Sequence, residues 1–403
     1  MKRIAEKYVA FVRQPHVARI LVVALLSRMP IGMVGFSMLM FLREFLGDFA
    51  LAGAAAGIHF VAMAIAAPVQ GRLIDRIGPR RPLIVTAIVQ PLALLGVLFG
   101  AHAGLPFAFV AACAALAGAF ASPITTLTRT IWRHRFEDED ERRTAFALDA
   151  VTIELNFTVG PALVAAVLAL WGATTAFALA IAAVIAAGAI YLGSGVMRHI
   201  KRIEAGERHL FGPLTEPRLW LVFISTFGLT LGFGVIEVGY PAYATLLAMP
   251  ALAGILLAVN SIGSAVGGAL YGGMHFRAPV ERQYALILAL FAGGVLLHLP
   301  LWPPVGFAAV AFVCGVLIAP SITAQSVLVA RLAPMKYATE AFTWSSTFIV
   351  SGIGAGMAIG GAVVESAGLA EAFALGGVVV AAAAALVFLA LPAQPAPAAS
   401  PAD

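Results

Sequence analysis

The stretch GRLIDRIGPRRPL, residues 71–83, places five charged side chains and two glycines between two long apolar runs. Each of these runs extends for about 20 residues, the length that a helix needs to cross the hydrocarbon core of a bilayer. We therefore expect the cluster to lie in a short loop at the membrane surface, where its charged side chains stay hydrated.

Similar apolar runs continue through almost the whole chain. Of its 403 residues, 61% are hydrophobic and 11% are charged, whereas a soluble domain carries about 25% charged residues. Runs bounded by charges, Pro or Gly predict an all-α membrane protein with twelve transmembrane helices, near residues 18–41, 51–71, 82–102, 106–132, 144–170, 173–193, 219–245, 251–273, 284–302, 304–331, 340–363 and 369–391.

The Lys and Arg residues predict the orientation of these spans. Every second loop is basic, whereas the other set of loops contains only Arg43, so the positive-inside rule places both termini in the cytoplasm. The longest polar interruption falls near the middle of the chain. It predicts an N-terminal six-helix half (1–193), a cytoplasmic linker (194–218), a C-terminal six-helix half (219–391) and a disordered tail (392–403).

The two halves resemble each other in sequence. Residues 51–71 align without gaps with residues 252–272, which places His59 opposite Asn260. The Ala-Phe pair at 145–146 likewise corresponds to the pair at 341–342. Six-helix halves repeated in parallel are an arrangement found in transporters.

The pattern G-x-L-x-D-R-x-G-x-R-R, placed between spans 2 and 3, closely resembles the signature loop of the major facilitator superfamily. The resemblance implies two pseudo-symmetric six-helix halves that work by alternating access. It also implies a gate in which Asp75 contacts the start of helix 11 while the cytoplasmic side is closed. We expect Gly71 to permit close helix approach and Gly78 a tight turn. The alternative role of the arginines is to anchor the loop at the membrane surface. The residues assigned to this gating motif are Gly71, Asp75, Arg76, Gly78 and Arg80.

Span 5 carries a second, weaker similarity. The segment LNFTVGPALVAAV, residues 155–167, resembles the Gly-Pro motif that this superfamily associates with antiporters, usually exporters. Gly160 and Pro161 match the motif, whereas Asn156 stands where glycine is usual. We expect the Gly-Pro pair to bend and thin the helix where the halves slide past one another. The match favours export.

Ionisable side chains inside spans are costly and are candidates for function. Arg28 and Glu154 lie at similar depths near the middle of spans 1 and 5, and Asp149 lies five residues nearer the cytoplasm. All three residues are assigned to proton coupling and the ion pair. We predict that Arg28 pairs with Glu154 and that Glu154 exchanges a proton as this pair breaks and forms. The alternative is a permanent structural ion pair.

The family resemblance implies that helices 1, 4, 7 and 10 line a central cavity. We therefore select candidate substrate contacts from these helices by their helical spacing. An apolar cavity with few charges suits amphipathic or weakly cationic substrates. His59 and His298 are expected to be hydrogen-bonded core residues. The residues assigned to the substrate cavity are Thr125, Arg129, Asn156, Glu237, Tyr240, Tyr243 and Gln325.

The sequence therefore predicts a monomeric secondary transporter in the cytoplasmic membrane of a bacterium. Its expected activity is proton-coupled export of small organic molecules, drug-like or metabolite. Its partners are the substrate, protons and the lipid bilayer, without nucleic acid, metal or cofactor, and the proton gradient supplies the energy. We see no nucleophile–base pattern and do not expect an enzyme. Alternatives are uptake of a nutrient such as a sugar, and a non-transporting receptor or lipid-handling protein.

Overall fold

The computed structural model describes residues 11–136, 139–196, 215–274, 276, 278–334 and 338–391. The linker residues 197–214 and the tail 392–403 lie outside this description, as do the side chains of Asp75, Arg129 and Glu154. The described residues form helices without strands. The helices are α1 (Val17–Leu46), α2 (Phe49–Ile77), α3 (Arg80–His102), α4 (Phe107–Ala119), α5 (Ile124–Arg135), α6 (Glu139–Gly193), α7 (Pro217–Leu246), α8 (Pro250–Gly273), α9 (Val280–Leu296), α10 (Pro304–Gly315), α11 (Ile318–Leu332), α12 (Ala338–Ser366) and α13 (Leu369–Ala390).

Ten stretches of the described chain are long and apolar enough to span a membrane, and they account for eleven of the twelve predicted spans. One stretch, Leu155–Gly193, has 39 residues and contains two spans, because Gly172 interrupts α6 with a non-helical φ of 83° and ψ of 172°. The remaining span is α9, whose 17 residues are still close to the length of the hydrocarbon core. The all-α, twelve-span fold class is confirmed.

Two of the spans are broken in the middle. The fourth predicted span consists of α4 and α5, which are separated at residues 120–123. Pro123 lies at this break, where its missing N–H removes a helical hydrogen bond. The tenth span is similarly divided into α10 and α11 at residues 316–317.

The helices form two compact units. One unit contains Met1–Glu207 together with Tyr240–Ala258, and the other contains Arg208–Gly239 together with Val259–Asp403. In the first unit, α1 packs most extensively against α6. The division into halves at the linker 194–218 stays a prediction.

Equivalent positions of the two sequence repeats make equivalent contacts within their own units. His59 Nδ1 lies 3.3 Å from the Ala114 carbonyl oxygen, and the aligned Asn260 donates a hydrogen bond of 3.0 Å to the Ala311 carbonyl. A methyl group on Gly118 would collide with the backbone carbonyl of His59, and one on Gly315 with the carbonyl of Asn260. The structure thus supports the sequence alignment between the repeats at this position.

Candidate functional site

The charged centre of the first unit is an ion pair buried among membrane-spanning helices. Arg28 Nη1 on α1 lies 2.8 Å from Asp149 Oδ1 on α6, and the two side chains are 0% and 1% exposed. The same guanidinium nitrogen donates a 3.1 Å hydrogen bond to Thr152 Oγ1. Trp132 Nε1 on α5 donates to Asp149 Oδ1 at 3.2 Å. Three predicted spans therefore meet at one carboxylate.

The predicted pairing of Arg28 with Glu154 stays a prediction, and the ion pair that the structure describes is between Arg28 and Asp149. Helical geometry supplies the reason. At 3.6 residues per turn, Glu154 lies about 140° around the α6 axis from Asp149. Thr152 also accepts a hydrogen bond from Arg28, and it lies within about 60° of Asp149 around the same axis. Depth along the helix axis suggested Glu154, but the face of α6 that meets α1 carries Asp149. The side chain of Glu154 is among those that the structure does not describe.

Glycines bring α1 and α6 together next to this ion pair. A methyl group on Gly32, one turn after Arg28, would collide with the Asn156 carbonyl and lie 3.2 Å from the ring of Pro161. A methyl group on Gly160 would lie 3.1 Å from the Gly32 backbone. The thin part of the Gly160–Pro161 segment thus faces α1 of the same unit, and its expected role where the halves slide past one another stays a prediction.

Several polar atoms at this helix crossing are buried without a hydrogen-bond partner in the described chain. They are Nε and Nη2 of Arg28 and both the Oδ1 and Nδ2 atoms of Asn156. Arg28 is 0% and Asn156 1% exposed. Each buried unsatisfied group costs about 1–3 kcal/mol, and more when it is charged. The crossing therefore holds more hydrogen-bonding capacity than its protein contacts use.

The loop of the signature motif has the turn that its sequence predicts. Gly78 follows α2 with φ of 85° and its N–H bonds to the Ile74 carbonyl at 2.9 Å, which confirms the tight turn. Arg76 and Arg80 are exposed. A methyl group on Gly71 would have no atom of the described chain within 4 Å, and the close helix approach expected there stays a prediction. The side chain of Asp75 lies outside the description, so its gating role stays a prediction.

The predicted substrate contacts differ in burial. Tyr240, Tyr243 and Gln325 are buried, and Gln325 Nε2 donates a 2.7 Å hydrogen bond to Ser345 Oγ on α12. Thr125 and Glu237 are half-buried. The Arg129 side chain is not described, and the assignment of all these residues, with Asn156, to a substrate cavity stays a prediction.

Sequence reasoning did not assign Trp132 and Thr152 to the ion pair. Thr152 lies three residues after Asp149, so helical spacing puts both side chains on one face of α6. That shared face is the signal that would have selected Asp149, because it carries a carboxylate, a hydroxyl and the small Gly160 at helical spacing.

Twelve apolar spans with an ion pair buried among three of them define a polytopic helical membrane protein of the transporter class. The family model of the Major Facilitator Superfamily matches residues 20–349. The chain belongs to this superfamily, and it is a transporter and not an enzyme.

A solved structure of similar fold is that of a mutant of the nucleoside transporter NupG. It aligns with a TM-score of 0.72 and 14% identity, covering 93% of this chain and 98% of the other. At this identity the similarity concerns the fold alone. No curated protein sequence matches the chain.

Proposed function

We propose that this transporter is a proton-coupled exporter of small organic molecules that works by alternating access in the cytoplasmic membrane. In this proposal both termini are cytoplasmic and the monomer is the working unit. The observation that carries it is the buried ion pair between Arg28 and Asp149.

In this proposal, Asp149 binds the coupled proton. A proton on this carboxylate removes the negative charge that Arg28 faces at 2.8 Å. The net charge of the pair then changes from zero to plus one, which is costly within a membrane. Protonation would therefore favour a conformation that hydrates Arg28 or gives it another partner, and this links proton binding to helix movement.

The incomplete hydrogen bonding of Arg28 argues against a purely structural pair. A buried ion pair compensates its desolvation only when the geometry is excellent and the remaining donors are satisfied. Here Nε and Nη2 of Arg28 have no partner in the described chain. A partner-exchanging site tolerates such donors, because they are used in a different conformation.

Export is the proposed direction because Gly160 and Pro161 match the antiporter-type motif. Gly160 also lies directly against Gly32, so the motif is part of the helix crossing that holds the ion pair. For the substrate, the half-buried carboxylate of Glu237 within α7 favours an amphipathic or weakly cationic molecule, because the bilayer core disfavours an uncompensated negative charge.

The test uses purified protein in liposomes with an imposed pH gradient. Transport of a substrate panel is measured for the parent, Asp149→Asn and Glu154→Gln. Glu44→Gln is the matched control, because Glu44 is an exposed carboxylate on α1. The panel contains amphipathic cations, sugars and, because of the fold neighbour, a nucleoside.

We expect the pH gradient to drive substrate movement opposite to the proton, and we expect Asp149→Asn to abolish this coupling while Glu44→Gln retains it. Substrate movement in the same direction as the proton would replace export by uptake. Unchanged coupling in Asp149→Asn would overturn the coupling assignment. If Glu154→Gln alone removed the coupling, the proton site would be Glu154.

A further inference from the structure

A second candidate site lies at the N-terminal end of α1, away from the ion pair. A cavity of about 230 Å³ opens there between the first turn of α1 and the residues that follow α6. His16 and Arg19 line it on one side, and Gly193 and Gly195 on the other. With about 30 Å³ per water molecule, the space is sufficient for a group of several heavy atoms.

The floor of this cavity is rigid. Ile20 and Val196 line it and belong to one buried apolar cluster together with Tyr191. Ser194 fixes the loop beside it, because its hydroxyl donates to the Tyr191 carbonyl at 2.7 Å and accepts from the Val196 N–H at 3.3 Å. The cavity is therefore a formed feature of the first unit.

Exposed apolar side chains lead from this cavity along both helices into the membrane-spanning region. On α1, Val22 and Leu26 follow Arg19 at helical spacing and are 53% and 48% exposed. On α6, the exposed Ile185 and Ala189 precede Gly193 at similar spacing. A basic cavity at the end of two apolar stripes has the polarity profile of a phospholipid, with its anionic phosphate beside the cations and its acyl chains along the stripes.

We propose that this cavity binds the phosphate of an anionic phospholipid whose acyl chains lie along the stripes of Val22, Leu26 and Ile185. Arg19 is the principal cation, because it is an exposed guanidinium that lines the cavity and begins the stripe on α1. In the proposed orientation, this lipid would belong to the cytoplasmic leaflet.

Two variants separate the charge from the cavity. Arg19→Gln removes the cation and leaves the space. Gly193→Phe introduces a bulky side chain at the cavity and leaves Arg19; a Cβ atom at Gly193 would meet no atom of the described chain within 4 Å. Arg331→Gln is the matched control, since Arg331 is also exposed at the end of a spanning helix.

Binding is measured on the purified full chain in neutral detergent, by native mass spectrometry and by thermal shift. The probes are phosphatidylglycerol, phosphatidylcholine with the same acyl chains, and glycerol 3-phosphate without chains. We expect preferential binding of phosphatidylglycerol by the parent. Arg19→Gln should weaken it about fivefold, the effect of one basic residue near an anionic surface, and Gly193→Phe should weaken it at least as much.

Three outcomes would overturn the proposal. Arg331→Gln could weaken binding as much as Arg19→Gln, which would indicate only a general effect of net charge. Phosphatidylcholine could bind as tightly as phosphatidylglycerol. Glycerol 3-phosphate could compete fully at equal concentration, which would indicate a site for a soluble phosphate. None of these outcomes affects the proposed coupling through Asp149.

Discussion

Replacement of the two members of the buried ion pair should have strongly unequal and non-additive effects on stability. Arg28 and Asp149 are 2.8 Å apart and completely buried. At an effective dielectric constant of about 20, this separation corresponds to an attraction of about 6 kcal/mol, most of which offsets desolvation. Removing one partner leaves the other charge buried, and such a change costs about 3–5 kcal/mol.

Asp149→Leu should be the more damaging of the two single substitutions. It leaves the permanently charged guanidinium with Thr152 as its hydrogen-bond partner and deprives Trp132 Nε1 of its acceptor. Arg28→Met leaves a carboxylate that keeps Trp132 Nε1 as a hydrogen-bond donor, so its cost should be about 3 kcal/mol. The double variant removes both charges and should cost less than Asp149→Leu alone.

The assay is denaturant unfolding of the four proteins in detergent micelles, analysed as a double-mutant cycle. Glu44→Gln supplies the control, because surface substitutions usually remain within about 0.5 kcal/mol. We expect a coupling energy of about 3 kcal/mol. If the effects add within about 0.5 kcal/mol, the two side chains do not form an energetically significant pair, and the reasoning from the geometry is refuted.

Three other predictions concern single positions. Gly78→Ala should destabilise the protein by about 1–2 kcal/mol, because Gly78 has a φ of 85°, which is unfavourable for L-residues. Gly71→Ala is the control and should be close to neutral. Thermal unfolding of the two variants measures this difference. Gly118→Val and Gly315→Val should each cost about 1–3 kcal/mol by overpacking equivalent helix crossings, and similar shifts in denaturant midpoint would support that equivalence. Asn156→Leu should leave stability unchanged or increased, because it removes a buried amide that has no hydrogen-bond partner among the described residues. A loss of more than about 1 kcal/mol would indicate an additional contact.

The fold followed from the sequence because apolar runs are long, and the charged loops between them are conspicuous. The break at Gly172 was predicted where one span had to end and the next begin. The interruption between α4 and α5 was not predicted, because the whole run is apolar enough to read as one span. Hydropathy reports which residues enter the bilayer, and the local backbone path depends on tertiary packing.

The ion pair shows which part of the site could be predicted from the sequence and which part could not. Arg28 required a partner, since an unpaired guanidinium at the membrane centre is costly, and this part was correct. The partner depended on which face of α6 meets α1. Glu154 is about 7.5 Å from Asp149 along the helix axis, and the long arginine side chain made either depth accessible. Only the packing of Gly32 against Asn156 fixes the rotation of α6 and thereby selects Asp149.

The second repeat supplies an internal control for the role of the charges. The contact between Gly32 and Gly160 corresponds to one in the other unit, where a methyl group on Gly234 would lie 2.9 Å from the Gly356 Cα atom. With the sequence offsets of these glycine pairs, Arg28 corresponds to Thr230 and Asp149 to Ser345. Thr230 donates to the Thr226 carbonyl at 2.9 Å, and Ser345 accepts from Gln325. The same type of helix crossing therefore forms with hydroxyls at these two positions.

This comparison leads to a final prediction about the double variant Arg28→Thr, Asp149→Ser, which gives the first crossing the hydroxyls of the second. If the ion pair serves coupling, the variant should fold, because hydroxyls occupy the corresponding positions of the other repeat, where Thr230 donates to a backbone carbonyl and Ser345 accepts from Gln325. It should also bind substrate, while its transport should no longer respond to an imposed pH gradient. Size-exclusion chromatography, substrate binding and proteoliposome flux measure these three properties separately. A variant that fails to fold, while Arg28→Met folds, would assign the pair to structure; retained response to the pH gradient would place the proton elsewhere in the chain.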